Sequence, residues 1–505
     1  MARPEIRLAS PHVIAGASRA NSVLRSGHRR HLWKETGVER GGCRVPEFID
    51  RLCDFMRAPG HADAAVLDDA WVGISDTVAV ALAGWDEPSA RAVRQAYGSS
   101  EDPAFGQPGL DAEREALIQG TAAHALDYDD VALGSVTHPS AVIVPALLAV
   151  AARRPDLRPR VLAAYAVGLA VDAAVGEALG FGHYDRGWHA TSTIGPISAA
   201  AALGYLVELE PRGARSLLAL AAAQCGGMQR NFGTLAKPAH VGFAAATAVR
   251  ALLLVEAGMT GDQDIFGPGG YFDLYGDAAA AVRAANCGFA LAAGRVSRKL
   301  YPCCYATHRM IGAALAARDS IAHPFAPDLR IVVDVPYGTM RPLRFTDPRD
   351  GNEAKFCAAY TVATALGTGT VRLGDFTAEA IARPAIRALM KRIAVVESPN
   401  GAGVVAGLDS GDVHLRIVRS NETVVEAISS VYPGSPLAPI GPEQLWDKIS
   451  DCLRTHARTH RKIARSEFER KVGQYVARCR SASANVSPRC IPDRYGDPSG
   501  DEFGT

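Results

Sequence analysis

The stretch Gly242-Phe-Ala-Ala-Ala-Thr-Ala-Val-Arg-Ala-Leu-Leu-Leu-Val-Glu-Ala257 decides the fold class. Its apolar residues recur at three- and four-residue spacing on several faces, the pattern of a helix packed on all sides. The same texture returns at residues 197–207 and 214–224 and holds almost throughout from Phe48 to about Ala293. A large all-helical domain is predicted over residues 47–294.

Beyond Arg295 short β-rich runs take over: Leu329-Arg-Ile-Val-Val-Asp-Val335, Arg392-Ile-Ala-Val-Val-Glu397, Gly411-Asp-Val-His-Leu-Arg-Ile-Val418 and Thr423-Val-Val-Glu-Ala-Ile428. The last two alternate and are separated by residues 419–422, as a hairpin would be. Helical pattern intervenes at 354–366 and 377–382. The predicted fold class is mainly α, with a smaller α+β lid domain over 295–432. A closing helix at 441–472, within a segment 433–480, should return to the helical body. Residues 1–46 form an N-terminal extension, and 481–505, without periodicity, a flexible tail.

Composition narrows the function. The 505 residues carry a formal net charge of +1, so no overall basic field marks a nucleic-acid partner. Ten cysteines without a repeating frame, Cys303 and Cys304 adjacent, argue against a disulfide scaffold or structural zinc and fit a reducing compartment. The longest apolar stretch, 161–182, contains Asp172 and Glu177, whereas a membrane span needs about 20 residues nearly free of charge. A buried helix is predicted there, and no membrane contact. Arg25, His28, Arg29, Arg30 and His31 crowd an acid-poor N-terminus that reads as a solvated extension or a mitochondrial presequence. The expected location is cytoplasmic, or the mitochondrial matrix if it is a presequence.

Chemistry concentrates in His124-Ala-Leu-Asp127-Tyr-Asp129-Asp130 and His138-Pro139-Ser140, just ahead of the apolar run 141–152. Such a cluster must be solvated, paired or functional, because a carboxylate is expensive to bury alone. A calcium loop starting at Asp127 would need an oxygen ligand at Val131, glycine at Ala132 and glutamate at His138; all three fail, and no metal is expected. Asp130 reads as a structural partner.

Four more motifs follow: Gly187-Trp188-His189-Ala190-Thr191, Lys237-Pro238-Ala239-His240-Val-Gly242, Lys299-Leu-Tyr301-Pro302-Cys303-Cys304-Tyr-Ala-Thr307-His308-Arg309, and Glu353-Ala-Lys355-Phe356-Cys357-Ala-Ala-Tyr360. His138 and Lys237 each precede a proline that opens a helical pattern, which predicts both at helix mouths whose free N–H groups attract anions. His189 precedes the hydroxyl run Thr191-Ser192-Thr193, typical of a helix cap, and histidine changes charge near neutral pH. Lys299, His308 and Arg309 flank the change of texture, where a hinge could carry a cation onto a carboxylate. Cys304 lacks a local Cys-His-acid pattern and reads as a buried thiol. Tyr360 could donate a hydrogen bond or a proton. Gly401-Ala-Gly403 lies between two β-like runs and reads as a hairpin turn rather than a nucleotide loop. With no Walker loop and no Gly-x-Ser-x-Gly elbow, no cofactor is expected.

Taken in order, these motifs resemble the MmgE/PrpD family, which includes 2-methylcitrate dehydratases, cis-aconitate decarboxylases and iminodisuccinate epimerases. The resemblance covers roughly residues 50–480. It implies the same helical-plus-lid division, a homodimer, and a cofactor-independent lyase that forms a carbanion or enolate on a small di- or tricarboxylate. Such an intermediate needs cations aimed where negative charge develops and a positioned base and acid. The resemblance implies catalytic roles for Asp127, His138, His189, Lys237, Lys299 and Tyr360, with Lys237, Lys299, Cys304, His308 and Arg309 binding substrate. Decarboxylases resembling the animal enzyme carry histidine at the position of Cys304. Many members have Gly-Tyr-Glu and then Arg where this chain has Gly168-Leu169-Ala170 and Ala174. The expected activity is a 2-methylcitrate-dehydratase-like hydro-lyase; a decarboxylase, an epimerase and a non-catalytic carboxylate-binding relative are the alternatives.

Overall fold

The computed structural model describes residues 47–60, 62–98, 103, 105, 106, 110–399 and 411–476. The N-terminal extension, the 401–406 turn and the C-terminal tail expected from sequence lie outside the described residues. The protein is mainly α: among the described residues the structure is 57% helical, with 19 helices and one small four-stranded sheet.

Six helices pack into the body from which the site is built: α1 (Ala64–Gly84), α2 (Ala112–His124), α3 (Ser140–Arg153), α4 (Val161–Leu179), α5 (Ala190–Leu206) and α6 (Ala236–Glu256). Asp63 and Asp111 start α1 and α2 by accepting the N–H groups of Val66 at 2.9 Å and Arg114 at 2.8 Å. The alanine-rich faces let helices approach closely, above all where α2 meets α6. A Cβ on Gly120 would come within 3.0 Å of the Gly242 Cα, and one on Gly242 within 2.3 Å of the Leu117 carbonyl oxygen. That contact sets the C-terminal end of α2, with His124, beside the start of α6, with Lys237 and His240.

The apolar stretch of α4 is a core helix, as its embedded acid predicts. Asp172 is buried and accepts from Ser135 at 2.8 Å and Thr137 at 2.6 Å. Those two residues belong to the loop that delivers His138, so the buried acid anchors that loop.

The strands fall where the sequence alternates: β1 (Leu329–Val335), β2 (Ile393–Glu397), β3 (Val413–Arg419) and β4 (Glu422–Ser429), in the order β2-β1-β3-β4. β1 pairs parallel with β2 and antiparallel with β3, and β3 antiparallel with β4. Leu329, Ile331, Val333 and Val335 are buried on β1, as are Val413, Leu415 and Ile417 on β3. Ser420 and Asn421, with φ of 49° and 68°, make the two-residue turn that joins β3 to β4. Helix α7 (His308–Arg318) packs on this sheet.

Two expected helices are broken. The 354–366 pattern gives a short turn, Gly351–Ala354, and then α8 (Ala358–Thr368). At the break the Lys355 carbonyl accepts the Cys304 N–H at 3.0 Å, which takes it out of the helical ladder. The 441–472 helix divides into α9 (Pro442–His456) and α10 (Arg465–Tyr475), because His460 in the connection is held by Asp86 at 2.9 Å. α9 does pack on the helical body. Its buried Lys448 reaches Asp76 of α1 and the Tyr128 carbonyl, both at 2.8 Å.

Candidate active site

Asp127 lies just beyond the end of α2 with φ +53°, a left-handed conformation that aspartate tolerates better than most residues. The turn points its carboxylate at two lysines. Lys237 Nζ donates to Oδ1 at 2.5 Å, and Lys299 Nζ lies 3.4 Å from Oδ2 while donating to the Asp127 carbonyl at 3.0 Å. All three residues are buried. Burial opposes ionisation of Asp127, but Lys237 and Lys299 together outweigh it and hold the carboxyl well below the usual carboxylate range. Lys299 is likewise opposed by burial, yet Asp127 and Asp129 raise its pKa and keep it charged.

Lys299 is brought here by a two-residue bridge: Val131 N–H donates to Ser297 O at 2.9 Å, and Ser297 N–H returns to Val131 O at 2.7 Å. Lys237 is in the first turn of α6 rather than ahead of it, since the helix begins at Ala236, one residue before it. The expectation of a lysine outside a proline-opened helix is corrected. Its ammonium also lies 5.2 Å from the Phe232 ring centre and 5.1 Å from that of Phe356.

His138 precedes Pro139 and α3 as predicted, and its N–H donates to Thr191 Oγ1 at 3.0 Å. Its Nδ1 lies 2.7 Å from the Asp130 carbonyl. A carbonyl only accepts, so Nδ1 carries the hydrogen and Nε2 keeps its lone pair. Burial pushes the imidazole pKa well below its ordinary value, against the pull of Asp129. His138 is therefore a neutral imidazole with a free basic nitrogen.

His189 is itself the residue before α5, rather than being followed by a capping run. Its Nδ1 meets His240 Nδ1 at 3.2 Å, and His240 Nε2 meets the Asn231 amide nitrogen at 3.2 Å. With that amide donating, His240 Nδ1–H donates to His189 Nδ1, and His189 keeps its hydrogen on Nε2. The buried His189 Nε2 has no partner among the described residues. Burial and then Lys237 hold its pKa well below the ordinary histidine value.

Asp127, His138, His189, Lys237, Lys299 and Cys304 line one cavity. Burial pushes the Cys304 thiol up to about 11, so it is neutral. The other proposed residues are not brought there. Tyr360 is buried in α8 and donates to the Asp375 carbonyl. His308 packs between Tyr301 and Tyr305, and burial lowers its pKa to about 3. Arg309 donates to the Gly411 carbonyl and stacks over Tyr432.

Sequence reasoning passed over His124, Asp129 and His240. His124 Nδ1 donates to Asp129 at 2.6 Å, and its buried Nε2 has no partner among the described residues. The signal for His240 was present, because it follows Lys237 by three residues and so shares its helix face. One ligand atom each of His124, Asp127 and His138 lie within 4.8 Å of one another, close enough for a cation to bridge. Lys237 and Lys299 flank that carboxylate, however, and would repel a divalent ion.

The site thus sets two buried ammonium groups, a carboxylate between them and neutral histidines into a mainly helical scaffold. The chain matches the MmgE/PrpD N-terminal domain over residues 50–283 and the MmgE/PrpD C-terminal domain over 301–474. It belongs to the MmgE/PrpD family. Among its relatives are the cis-aconitate decarboxylases of Mus musculus, 26% identical over 66% of this chain and 70% of that enzyme, and of Homo sapiens, 27% identical over 59% and 64%. The cis-aconitate decarboxylase-like protein oryM of Aspergillus oryzae is 28% identical over 44% of this chain and half of its own length. Family and relatives support a lyase-type activity.

Proposed function

We propose that the protein is a hydro-lyase of the 2-methylcitrate-dehydratase type, removing water from a small hydroxylated tricarboxylate through an enolate. The observation that carries this reading is the pair of differently set imidazoles above Asp127, Lys237 and Lys299. His138 Nε2 takes the proton next to a substrate carboxylate, and the charge that develops is met by the ammonium groups of Lys237 and Lys299. His189, with hydrogen on Nε2, faces the leaving hydroxyl. Burial and then the Lys237 field keep His189 neutral, and an anionic substrate opposes the Lys237 part, which favours uptake of a proton by His189 as substrate binds. That proton leaves with hydroxide as water.

A second reading, decarboxylation of cis-aconitate, is favoured by the names of the relatives. Cys304 favours elimination. It supplies the cavity with a neutral thiol where the animal-type decarboxylases carry histidine, and a thiol replaces neither an imidazole acid nor a cation. The test is product analysis by NMR with 2-methylcitrate, citrate, cis-aconitate and iminodisuccinate in parallel. Loss of water from 2-methylcitrate is expected, with little CO₂ from cis-aconitate. Rapid itaconate formation overturns the hydro-lyase choice.

A further inference from the structure

Outside the catalytic cavity lies a second, open chamber. The inner cavity has about 60 Å³ of space, enough for a few waters, whereas the outer one has about 480 Å³, within the size range of ligand sites. Phe232 and Pro342 line both and so form the wall between them. The Phe232 ring centre is 5.2 Å from Lys237 Nζ and 6.0 Å from the Arg344 guanidinium, and its ring meets His189 at 5.1 Å.

The outer chamber is lined by Arg186, Arg230, Arg341 and Arg344, all exposed. Among the described residues only Arg341 is in an ion pair, with Asp185. Arg344 donates to a backbone carbonyl and has no carboxylate partner among the described residues, whereas Arg186 donates to backbone carbonyls and also faces the Asp277 carboxylate. Arg230 makes neither a hydrogen bond nor an ion pair within the described chain. The apolar part is Trp188 and Met228, the latter 59% exposed. Guanidinium forks suit carboxylates, and an apolar floor suits the carbon chain that joins them.

We propose that this chamber is a second carboxylate site, which recruits polycarboxylate anions and hands them past Phe232 and Pro342 to the inner cavity. It rests on the reading of the inner cavity as a carboxylate site. Recruitment in the larger outer chamber places a substrate with three charged groups beside so small an inner cavity. The chamber's uncompensated charge draws the anion in, and the ammonium groups of Lys237 and Lys299 lie beyond the wall.

The experiment is calorimetric titration of the full chain with tricarballylate, a tricarboxylate with neither hydroxyl nor double bond to react, and separately with inorganic phosphate. The variants are Arg230→Gln alone, Arg230→Gln with Arg344→Gln, and Lys237→Met. Arg230→Gln touches no intrachain partner, so it keeps the test open if the double variant folds poorly. The expected result is ~10-fold weaker tricarballylate binding in the double variant, a smaller loss in the single one, and a reduced salt dependence in both. Unchanged affinity in both arginine variants overturns the proposal. Phosphate bound as tightly as tricarballylate, with the same arginine dependence, also overturns it, because the chamber is then a general anion patch. If binding depends on Lys237 but not on the arginines, only the outer site fails. If it depends on neither, the inner carboxylate reading fails as well.

Discussion

Lys237→Met is the perturbation whose consequences the structure fixes most closely. A lysine at an open helix mouth could be truncated with little effect on stability, and that is what the proline spacing alone leads one to expect. The structure buries Lys237 with Asp127 at 2.5 Å, so the variant leaves a buried carboxylate short of its nearest counter-charge. Removing one partner of a buried pair costs about 3–5 kcal/mol. Lys299, at 3.4 Å, still faces Asp127, which places the expected loss near the lower end, about 3 kcal/mol. Asp127→Asn with Lys237→Met removes both charges of the closest pair but leaves Lys299 with Asp129 alone, at 4.0 Å, so it should recover only part of that loss in denaturant melts with an unchanged slope. Turnover should fall ~10²–10³-fold in Lys237→Met, the scale of a lost group aimed at developing charge, and should not recover in the double variant. A single variant as stable as wild type would refute the buried-pair argument. A double variant with wild-type turnover would remove Lys237 from the chemistry.

The remaining predictions are narrower. His138→Gln and His189→Gln should each lose ~10²–10⁴-fold in turnover, with one limb of the pH profile missing in at least one; wild-type rates and profiles in both would exclude histidine from the reaction. Tricarballylate binding should take up protons at neutral pH, because His189 is held deprotonated by burial and Lys237 until an anion arrives. Calorimetry in two buffers of different ionisation enthalpy would show this as a difference in apparent heat, and equal heats would contradict it. Burial raises Asp172 to about 6, above its unfolded value of about 3.9. Its contribution to stability is therefore complete below pH ~4 and lost as pH rises through about 6. Asp172→Asn should flatten the fall in melting temperature across that window, whereas parallel curves would contradict the assignment. Activity should persist in EDTA; loss restored by one added metal would reassign His124, Asp127 and His138 to an ion.

Local pattern carried much of this protein. The three-and-four spacing of its alanine-rich segments marks buried helices, and alternation places β3 and β4 on their residues, because both signals follow from backbone geometry alone. Asp172 inside an apolar run identified α4 as a core helix. The motifs named most residues of the cavity, since charged groups ahead of long apolar runs have few roles. Distance across the chain was beyond that reading. Asp127 and Lys237 are 110 positions apart and meet only because Gly120 and Gly242 let α2 and α6 touch. Nor does spacing tell which way a buried polar side chain turns. Tyr360, His308 and Arg309 are as buried as Lys237, yet each is occupied elsewhere, by the Asp375 carbonyl, by neighbouring tyrosines and by the Gly411 carbonyl. The hydrogen positions that separate His138 from His189 depend on partners in other elements, a carbonyl for one and His240 with Asn231 for the other. Sequence supplied the chemical groups, and tertiary packing decided their pairing, charge and direction, because these are set by contacts between segments that no local period encodes.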